Sequence, residues 1–400
     1  MHEMMMADSI APEPQAPSTA LVTIVGVAAG ALVANLYYAQ PLIASIGPEL
    51  GIGLDVAGSV VSVTQIGYGI GLFFLVSLAD IVESRRLVLI SLGLTCLGLI
   101  GAATSSAAAP FFIASFIIGI CSTGAQVLLP FIAQLIPEAR RGRMVGNVMA
   151  GLLGGIMLAR PVALFVSASF GWRAVFWLSA ALMLVIGAAL FAMMPKNRPV
   201  GGTTYPRIIG SMLGLLKSLP MLRRRAAYQA LMFGAFNLFW TAAPLMLADR
   251  FGLGEQQIGL FALAGAGGAL AAPVAGRLAD RGHSRIATIA AMLLLALSFL
   301  GTIWALASAI LAGLVLLAVL IDAAVQGNQV VSQRMIFSVS PEIRGRTNAL
   351  YMTITFMGGA IGSFLGTLTY HGGGWTATAG TGALAGLVAL LLFAVESRSR

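Results

Sequence analysis

The ten residues GRLADRGHSR, at positions 276–285, join two long apolar runs at residues 256–278 and 286–306. Each run contains about the 20 apolar residues that a helix needs to cross a bilayer core about 30 Å thick. The stretch between the runs carries one aspartate and three arginines, which favour water over lipid. This pattern predicts two membrane-spanning helices joined by a short charged loop.

The same alternation of apolar runs and short polar loops extends along the chain. Of its 400 residues, 58% are hydrophobic and only 9% are charged, whereas about 25% of the residues in soluble domains are charged. A water-soluble fold could not cover its surface with so few charges. The sequence therefore predicts an all-α polytopic membrane protein with twelve transmembrane helices, numbered spans 1 to 12, at residues 20–46, 56–79, 87–106, 109–136, 144–169, 173–194, 226–248, 256–278, 286–306, 308–338, 347–370 and 376–395.

Arginines and lysines lie almost entirely in alternate loops, and this predicts the orientation of the chain. Loops rich in these residues stay in the cytoplasm. The loops on the other side contain only Arg173 and Arg250. We therefore expect both termini in the cytoplasm, and we attribute the net charge of +9 to topology rather than to nucleic-acid binding.

A tandem repeat divides the chain into two halves. The pair Gly171-Trp172 recurs 203 residues later as Gly374-Trp375, and residues 141–143, RGR, recur at the same spacing. Homologous halves around a site in the middle of the membrane are a design of secondary transporters. The expected organisation is a disordered cytoplasmic tail at 1–19, a six-helix half at 20–194, a cytoplasmic linker with a short interfacial helix at 195–225, a second six-helix half at 226–396 and a cytoplasmic tail at 397–400.

The loop at 276–285 resembles the signature of the major facilitator superfamily (MFS), and a degraded copy, SLADIVESRR, lies at 77–86. Residues 35–42, NLYYAQPL, are similar to a bacterial branch near the drug:proton antiporters and sugar-efflux-like permeases. The resemblance implies an MFS fold, a bacterial inner-membrane location, a monomer and a cavity lined by spans 1, 4, 7 and 10. Two departures concern substrate coupling: Ser115 stands where that branch usually has an arginine, and Pro161 follows Arg160 in place of a small or hydroxyl residue.

Two charged residues lie deep within the predicted spans. Asp322 is near the centre of span 10, where a charge costs about 2.5–3.5 kcal/mol or more. A carboxyl group at that depth can exchange a proton, as a proton-coupled carrier requires; alternatively, it is bonded to a neighbouring helix and has a structural role. Arg160 of span 5 keeps its charge. It could pair with Asp322, bind an anionic group of the substrate, or extend towards the outer face.

Polar and aromatic side chains on several spans are typical of an amphipathic cavity. Asp322, Gln326 and Gln329 are spaced by four and three residues, so they share one face of span 10. Such a lining suits an organic molecule with apolar and polar parts, although each aromatic residue could instead pack or anchor a span. The predicted cavity residues are Asn35, Tyr38, Gln65, Tyr68, Gln126, Arg160, Asn237, Trp240, Gln326 and Gln329.

The two signature loops also indicate a gate on the cytoplasmic side. A carboxylate at the end of span 2 or span 8 can meet the positive N-terminal end of a helix in the other half. Such contacts would form when that side is closed and break when it opens; alternatively, these charges only set topology. The predicted gate residues are Asp80, Arg85, Arg86, Asp280, Arg281 and Arg285.

These features predict a secondary active transporter that exports a small organic molecule in exchange for protons by alternating access, with Asp322 as the proton-coupling site. The export direction rests on the family resemblance alone, and the fixed cation Arg160 favours a neutral or anionic substrate. The alternatives are a proton symporter or facilitator for uptake, and a ligand sensor that does not transport. The sequence has no phosphate-binding loop, no clustered histidines and no nucleophile with a base, so we expect no cofactor, no metal and no enzyme activity. The expected partners are the substrate, protons and the lipid bilayer.

Overall fold

The structure is a computed structural model that describes residues 17–136, 138–197, 204–268 and 271–398, without the side chains of 138–143, 341–342 and 397–398. The predicted tails at 1–19 and 397–400 fall mostly outside the described residues. Every regular element in the described part is a helix.

The first half consists of six spans, two of which are interrupted. The α-helix of span 1 ends at Ala34, and a second α-helix begins at Ile43. Pro41 lies between them, and its nitrogen cannot donate a hydrogen bond. Span 4 is interrupted at Thr123. The helices are Thr19–Ala34, Gln40–Leu42 (3₁₀) and Ile43–Glu49 in span 1, Ser59–Leu78 in span 2, Ser84–Thr104 in span 3, Ala108–Ser122 and Gly124–Leu135 in span 4, Glu138–Phe170 in span 5 and Trp172–Met193 in span 6.

The second half follows an amphipathic linker helix, Tyr205–Ser218. Span 7 continues as one helix through Pro244, whereas the described part of span 8 is interrupted at Leu263. The helices are Pro220–Phe251 in span 7, Glu255–Ala262, Ala264–Gly268 and Ala271–Asp280 in span 8, Ser284–Ala307 in span 9, Leu311–Phe337 in span 10, and Pro341–Arg398, which contains spans 11 and 12.

The described helices account for twelve membrane spans. Ten of them are long and apolar enough to cross a membrane, and the shorter apolar helix Thr19–Ala34 adds one. The last of the ten, Ile343–Glu396, has 54 residues, which would extend about 80 Å at 1.5 Å per residue. Its backbone leaves the helical conformation at Gly373 and Gly374, so it forms two spans. The predicted all-α fold with twelve spans is confirmed.

The repeated Gly-Trp pair marks the turn between the last two spans of each half. Gly171 has a φ of 79° and Gly374 has a φ of 64°, a left-handed conformation that is strained for residues with a Cβ. The tryptophans that follow, Trp172 and Trp375, are both buried. The repeat in the sequence therefore has a physical cause, because both turns need a glycine and an anchoring ring.

Facing glycines allow close packing of span 1 on span 5 and of span 7 on span 11. A Cβ added at Gly30 would overlap the backbone of Gly151, and one added at Gly155 would overlap that of Gly30. In the second half, a Cβ at Gly362 would overlap the backbone of Gly234. Small residues let helix backbones approach closely within a membrane. The equivalent helix pairs pack alike in the two halves, as expected for a pseudo-symmetric repeat.

The linker helix defines one face of the molecule, which we call the linker face. The start of span 1 and the end of span 12 lie on this face because the number of spans is even. Ile208 and Met212 of the linker helix are buried, and the Ser77 hydroxyl contacts the Met212 sulfur at 3.1 Å. The linker helix therefore packs against the end of span 2 rather than standing free.

The two halves also contact each other near the opposite face. The backbone N–H of Gly58, at the start of span 2, donates to the Thr367 hydroxyl of span 11 at 3.0 Å. The Ser45 hydroxyl donates to a carboxylate oxygen of Glu255 at 2.8 Å. These bonds join loops and helix ends of different halves, so the structure is closed on the face opposite the linker.

Candidate functional site

Arg160 lies near the middle of span 5 and is only 5% exposed. Its guanidinium carbon lies 4.8 Å from the ring centroid of Tyr37, 5.1 Å from that of Phe236 and 5.0 Å from that of Trp240. The negative face of an aromatic ring attracts a cation, most strongly where water is excluded. Rings from both halves therefore hold this charge and partly offset its removal from water.

The hydrogen bonds of Arg160 leave part of the guanidinium unused. Its Nε donates to Gln40 Oε1 at 2.8 Å, whereas its Nη2 is buried without a hydrogen-bond partner among the described residues. A buried donor without a partner costs about 1–3 kcal/mol, and more when it is charged. The possible ion pair with Asp322 is not formed in the described part of the chain. Nη2 therefore keeps a donor that the described residues do not use.

Asp322 lies near the middle of span 10 and is 3% exposed. The Trp240 indole N–H donates to its Oδ1 at 2.8 Å, so the same ring contacts Arg160 with its face and Asp322 with its edge. Span 8 passes closely over the carboxylate: a Cβ at Gly265 would lie 2.9 Å from Oδ2, and one at Gly268 would overlap the Asp322 side chain. Glycines in span 8 therefore make room for the buried acid.

Gln40 links the two halves at this site, and the sequence alone did not identify it as a site residue. Its Nε2 donates to Thr241 Oγ1 at 3.0 Å and to Asn237 Oδ1 at 3.3 Å, while its Oε1 accepts from Arg160. Gln65 of span 2 donates to the same Asn237 oxygen at 2.5 Å. The available signal was an amide five residues after Asn35, in the mostly apolar and aromatic stretch at 35–42.

The space beside the two charged residues is small. A cavity of about 20 Å³ is lined by Arg160, Asp322, Gln326 and neighbouring apolar side chains, which is room for about one water molecule. Towards the opposite face, Pro41 and Leu164 help to line an apolar cavity of only about 10 Å³. The structure therefore shows a contracted site that is too small for an organic molecule.

Other predicted cavity residues bind neighbouring helices and do not line this small space. Gln126 Nε2 donates to the Tyr68 hydroxyl at 3.1 Å, and Gln329 Oε1 accepts from a tyrosine of span 11 at 3.1 Å. Asn35 Oδ1 accepts from a serine of span 6 at 2.6 Å, and Tyr38 is buried in the first half. Their roles in binding substrate remain predictions, because the cavity would have a different lining when it is open.

Among the predicted gate residues, Asp80 contacts the other half. Its carboxylate lies 3.8 Å from Arg346, near the start of span 11. Burial raises the pKa of Asp80, and Arg346 acts in the opposite direction. Arg346 also donates to the Ser211 hydroxyl of the linker helix at 3.2 Å. The contact therefore joins span 2, span 11 and the linker helix on the linker face.

The other predicted gate residues are arranged differently. Asp280 forms an ion pair with Arg334 at the end of span 10 in the same half. Arg85 donates to the backbone carbonyl of Phe191, also in its own half, at 2.5 Å. The remaining three side chains are exposed: Arg86, Arg281 and Arg285. A gating role for these residues stays a prediction.

Twelve spans in two similar halves, with charged residues buried between the halves, are the architecture of a membrane transporter. The chain belongs to the Major Facilitator Superfamily, whose family model matches residues 22–224 and again 225–400. The resemblance found in the sequence is therefore confirmed. As a member of a transporter family, the protein is a transporter of small molecules across a membrane and not an enzyme.

The chain is similar to several known transporters along most of its length. It is 39% identical to the uncharacterized transporter YgaY of Escherichia coli O157:H7 over 377 residues, which cover 94% of this chain and 95% of that protein. It is 26% identical to a chloramphenicol resistance protein of Streptomyces lividans, covering 68% of this chain and 70% of that one. The crystal structure of a D-xylose–proton symporter matches the fold with a TM-score of 0.73 at 18% identity, covering 92% of this chain and 96% of that chain.

Proposed function

We propose that this protein is a proton-coupled exporter of a small organic molecule that works by alternating access. It would act as a monomer in the bacterial inner membrane with both termini in the cytoplasm. The linker face would be cytoplasmic because the arginine-rich loops connect the spans on that face. The closed opposite face would then be the outer side.

The observation that carries this proposal is the buried carboxyl group of Asp322 beside the central cavity. The Trp240 indole binds Oδ1 at 2.8 Å, and Asp322 also lines the cavity. An ionised Asp322 can accept a strong hydrogen bond from a donor on the substrate, whereas a proton on this carboxylate turns one oxygen into a donor and weakens the other as an acceptor. Substrate and proton therefore compete for one group, and this competition drives exchange: the substrate leaves on the outer side when a proton arrives there.

The proposed direction of transport is supported by one named relative. The Streptomyces lividans protein, 26% identical to this chain, is named for chloramphenicol resistance. A transporter can confer such resistance by moving the compound out of the cell. The fixed charge of Arg160, only 5% exposed beside the cavity, supports a neutral or anionic substrate over a lipophilic cation.

A flux measurement in proteoliposomes tests the coupling site. We expect an imposed proton gradient to drive flux of at least one compound from a library of small neutral and anionic molecules. In Asp322→Asn, gradient-driven flux should fall at least tenfold, because an amide cannot take up the coupling proton. Exchange of substrate for substrate should continue at saturating substrate, because the amide oxygen still accepts a hydrogen bond, although less strongly than a carboxylate. The matched control is Asp249→Asn, which removes an exposed carboxylate near the opposite face.

The outcomes separate the proposed classes of protein. If Asp322→Asn responds to the gradient as the native chain does, Asp322 is not the coupling site. Saturable binding without flux in any gradient would identify a ligand sensor. Flux through the native chain that does not depend on the proton gradient would identify a facilitator.

A second candidate function, symport of a proton with an organic anion, is favoured by the Arg160 Nη2 atom, which has no partner among the described residues. A carboxylate bound to Nη2 would repel an ionised Asp322 and favour its protonated form. The anion and the proton would then bind together and move in the same direction. In an exporter that exchanges substrate for protons, the substrate and the proton would instead compete for the site.

The pH dependence of equilibrium binding distinguishes the two candidates. For the exchanger, substrate affinity should weaken as the pH falls, because protons occupy Asp322. For the symporter, affinity should strengthen as the pH falls, because protonation removes a negative charge beside the bound anion. In Asp322→Asn both dependences should disappear, and a pH effect that survives in this variant would point to another proton site.

A further inference from the structure

A larger cavity lies away from the central site, where spans 7, 9, 10 and 12 end on the linker face. It has a volume of about 300 Å³. Its lining contains three arginines and one glutamate, a net charge of +2, together with apolar side chains. The residues that matter here are Arg224, Arg225, Arg285, Glu396, Met335 and Phe393.

The single acidic residue of this cavity is already bound by donors of the protein. Glu396 accepts from Arg224 at 2.8 Å and from the Tyr228 hydroxyl at 2.6 Å. Arg225, only 7% exposed, donates to the neutral Thr288 hydroxyl at 2.8 Å. The lining contains three arginines and one carboxylate, so its formal charge is positive and the cavity favours an anion.

The corresponding place in the first half is occupied by the protein itself. Ser84 and Arg85 begin span 3 as Ser284 and Arg285 begin span 9, 200 residues later. In the first half, Asn197 accepts from the Ser84 N–H at 3.0 Å and donates to the Ser84 hydroxyl at 3.0 Å, while Arg85 binds a backbone carbonyl of span 6 at 2.5 Å. In the second half, the equivalent serine and arginine border the 300 Å³ cavity.

We propose that this cavity binds the phosphate head group of an anionic phospholipid. The arginines would bind the phosphate, and Met335 and Phe393 would contact the glycerol and the start of the acyl chains. Basic pockets between helices on the cytoplasmic side of a membrane bind such lipids. A free phosphate has the same charge but no apolar part, so the mixed lining favours the lipid. The assignment to the cytoplasmic leaflet rests on the orientation given under the proposed function, whereas the binding itself does not depend on transport.

Lipid titration of the purified full-length protein in detergent tests this site. Native mass spectrometry would count bound molecules of phosphatidylglycerol, and phosphatidylcholine and inorganic phosphate would be titrated at the same concentrations. We expect one phosphatidylglycerol to bind more tightly than the rest. Arg285→Gln should weaken the affinity for this phosphatidylglycerol about fivefold, since a basic residue near a membrane surface contributes about 1 kcal/mol. Arg285→Glu should weaken it further.

The control is Arg250→Gln, which removes an exposed arginine near the opposite face and should leave this affinity unchanged. Because Arg285 is also exposed, its variants should fold, and monodisperse elution of each variant would check this. The proposal would be overturned if phosphatidylcholine bound as tightly as phosphatidylglycerol. It would also be overturned if Arg250→Gln weakened phosphatidylglycerol binding as much as Arg285→Gln does. Competition by inorganic phosphate at the concentration of the lipid would show that the site takes phosphate from solution and would also overturn it.

Discussion

Gln40 supplies the hydrogen-bond acceptor for the buried Arg160 side chain. Its Oε1 accepts from Arg160 at 2.8 Å, and its Nε2 binds Asn237 and Thr241 of span 7. One neutral amide thus positions a buried cation and joins the two halves. Trp240 has a similar double role, because its ring faces Arg160 while its N–H binds Asp322.

We therefore predict that Gln40→Ala destabilises the protein by about 1–3 kcal/mol, because a charged buried donor loses its acceptor. Thermal unfolding in detergent would measure this, and gradient-driven flux should fall in parallel. Gln256→Ala is the matched control, since Gln256 is exposed at the start of span 8. Equal unfolding temperatures for the two variants would contradict the prediction.

At the scale of helices, packing of span 1 on span 5 depends on glycines at particular positions. A Cβ at Gly155 would overlap the backbone of Gly30, whereas one at the neighbouring Gly154 would meet nothing within 4 Å. Both residues lie in the same helix, Glu138–Phe170. They therefore differ in their contacts with span 1 and not in their local secondary structure.

The two positions allow a paired prediction. Gly155→Ala should destabilise the protein by about 1–3 kcal/mol, because a methyl group is forced into a filled interface. Gly154→Ala should be neutral or stabilising by up to about 1 kcal/mol, because alanine favours a helix more than glycine does. Thermal unfolding of both variants checks this, and a reversed order would show that the spans do not pack as described.

At the scale of the whole molecule, the two halves contact each other near both faces. The Ser45 hydroxyl and the Glu255 carboxylate are 2.8 Å apart and belong to different halves. Under the proposed alternating-access cycle, this contact breaks once in each cycle. The Asp80–Arg346 contact at 3.8 Å on the linker face would break in the other part of the cycle.

We predict that Ser45→Cys combined with Glu255→Cys, joined by a short reducible cross-linker with two methanethiosulfonate groups, reduces flux at least tenfold. A reductant should restore flux, because the halves can then separate again. The single variants are the controls, and the native cysteines Cys96 and Cys121 are buried. Full flux in a sample whose cross-link is verified by mass would mean that this face does not open during transport.

Most of the fold could be predicted from the sequence, but only part of the site. The length of an apolar run and the charge of a loop are local properties, so the twelve spans were readable without a structure. A charged residue within an apolar run can also be recognised in the sequence, and this identified Arg160 and Asp322. The hydrogen-bond partners of these residues could not be predicted from the sequence. Arg160 was a candidate to pair with Asp322, and it binds Gln40 instead.

By itself, the sequence determined an all-α membrane transporter of two homologous halves, because hydropathy and repeat spacing are properties of the chain alone. Only the tertiary structure decided that Gln40, 120 residues away in the chain, binds Arg160, that Trp240 stands between the two charged groups, and that Asp280 pairs within its own half. Contacts between distant spans depend on how helices rotate and approach one another. That arrangement is set by packing over the whole molecule, including the glycines that let the spans come close.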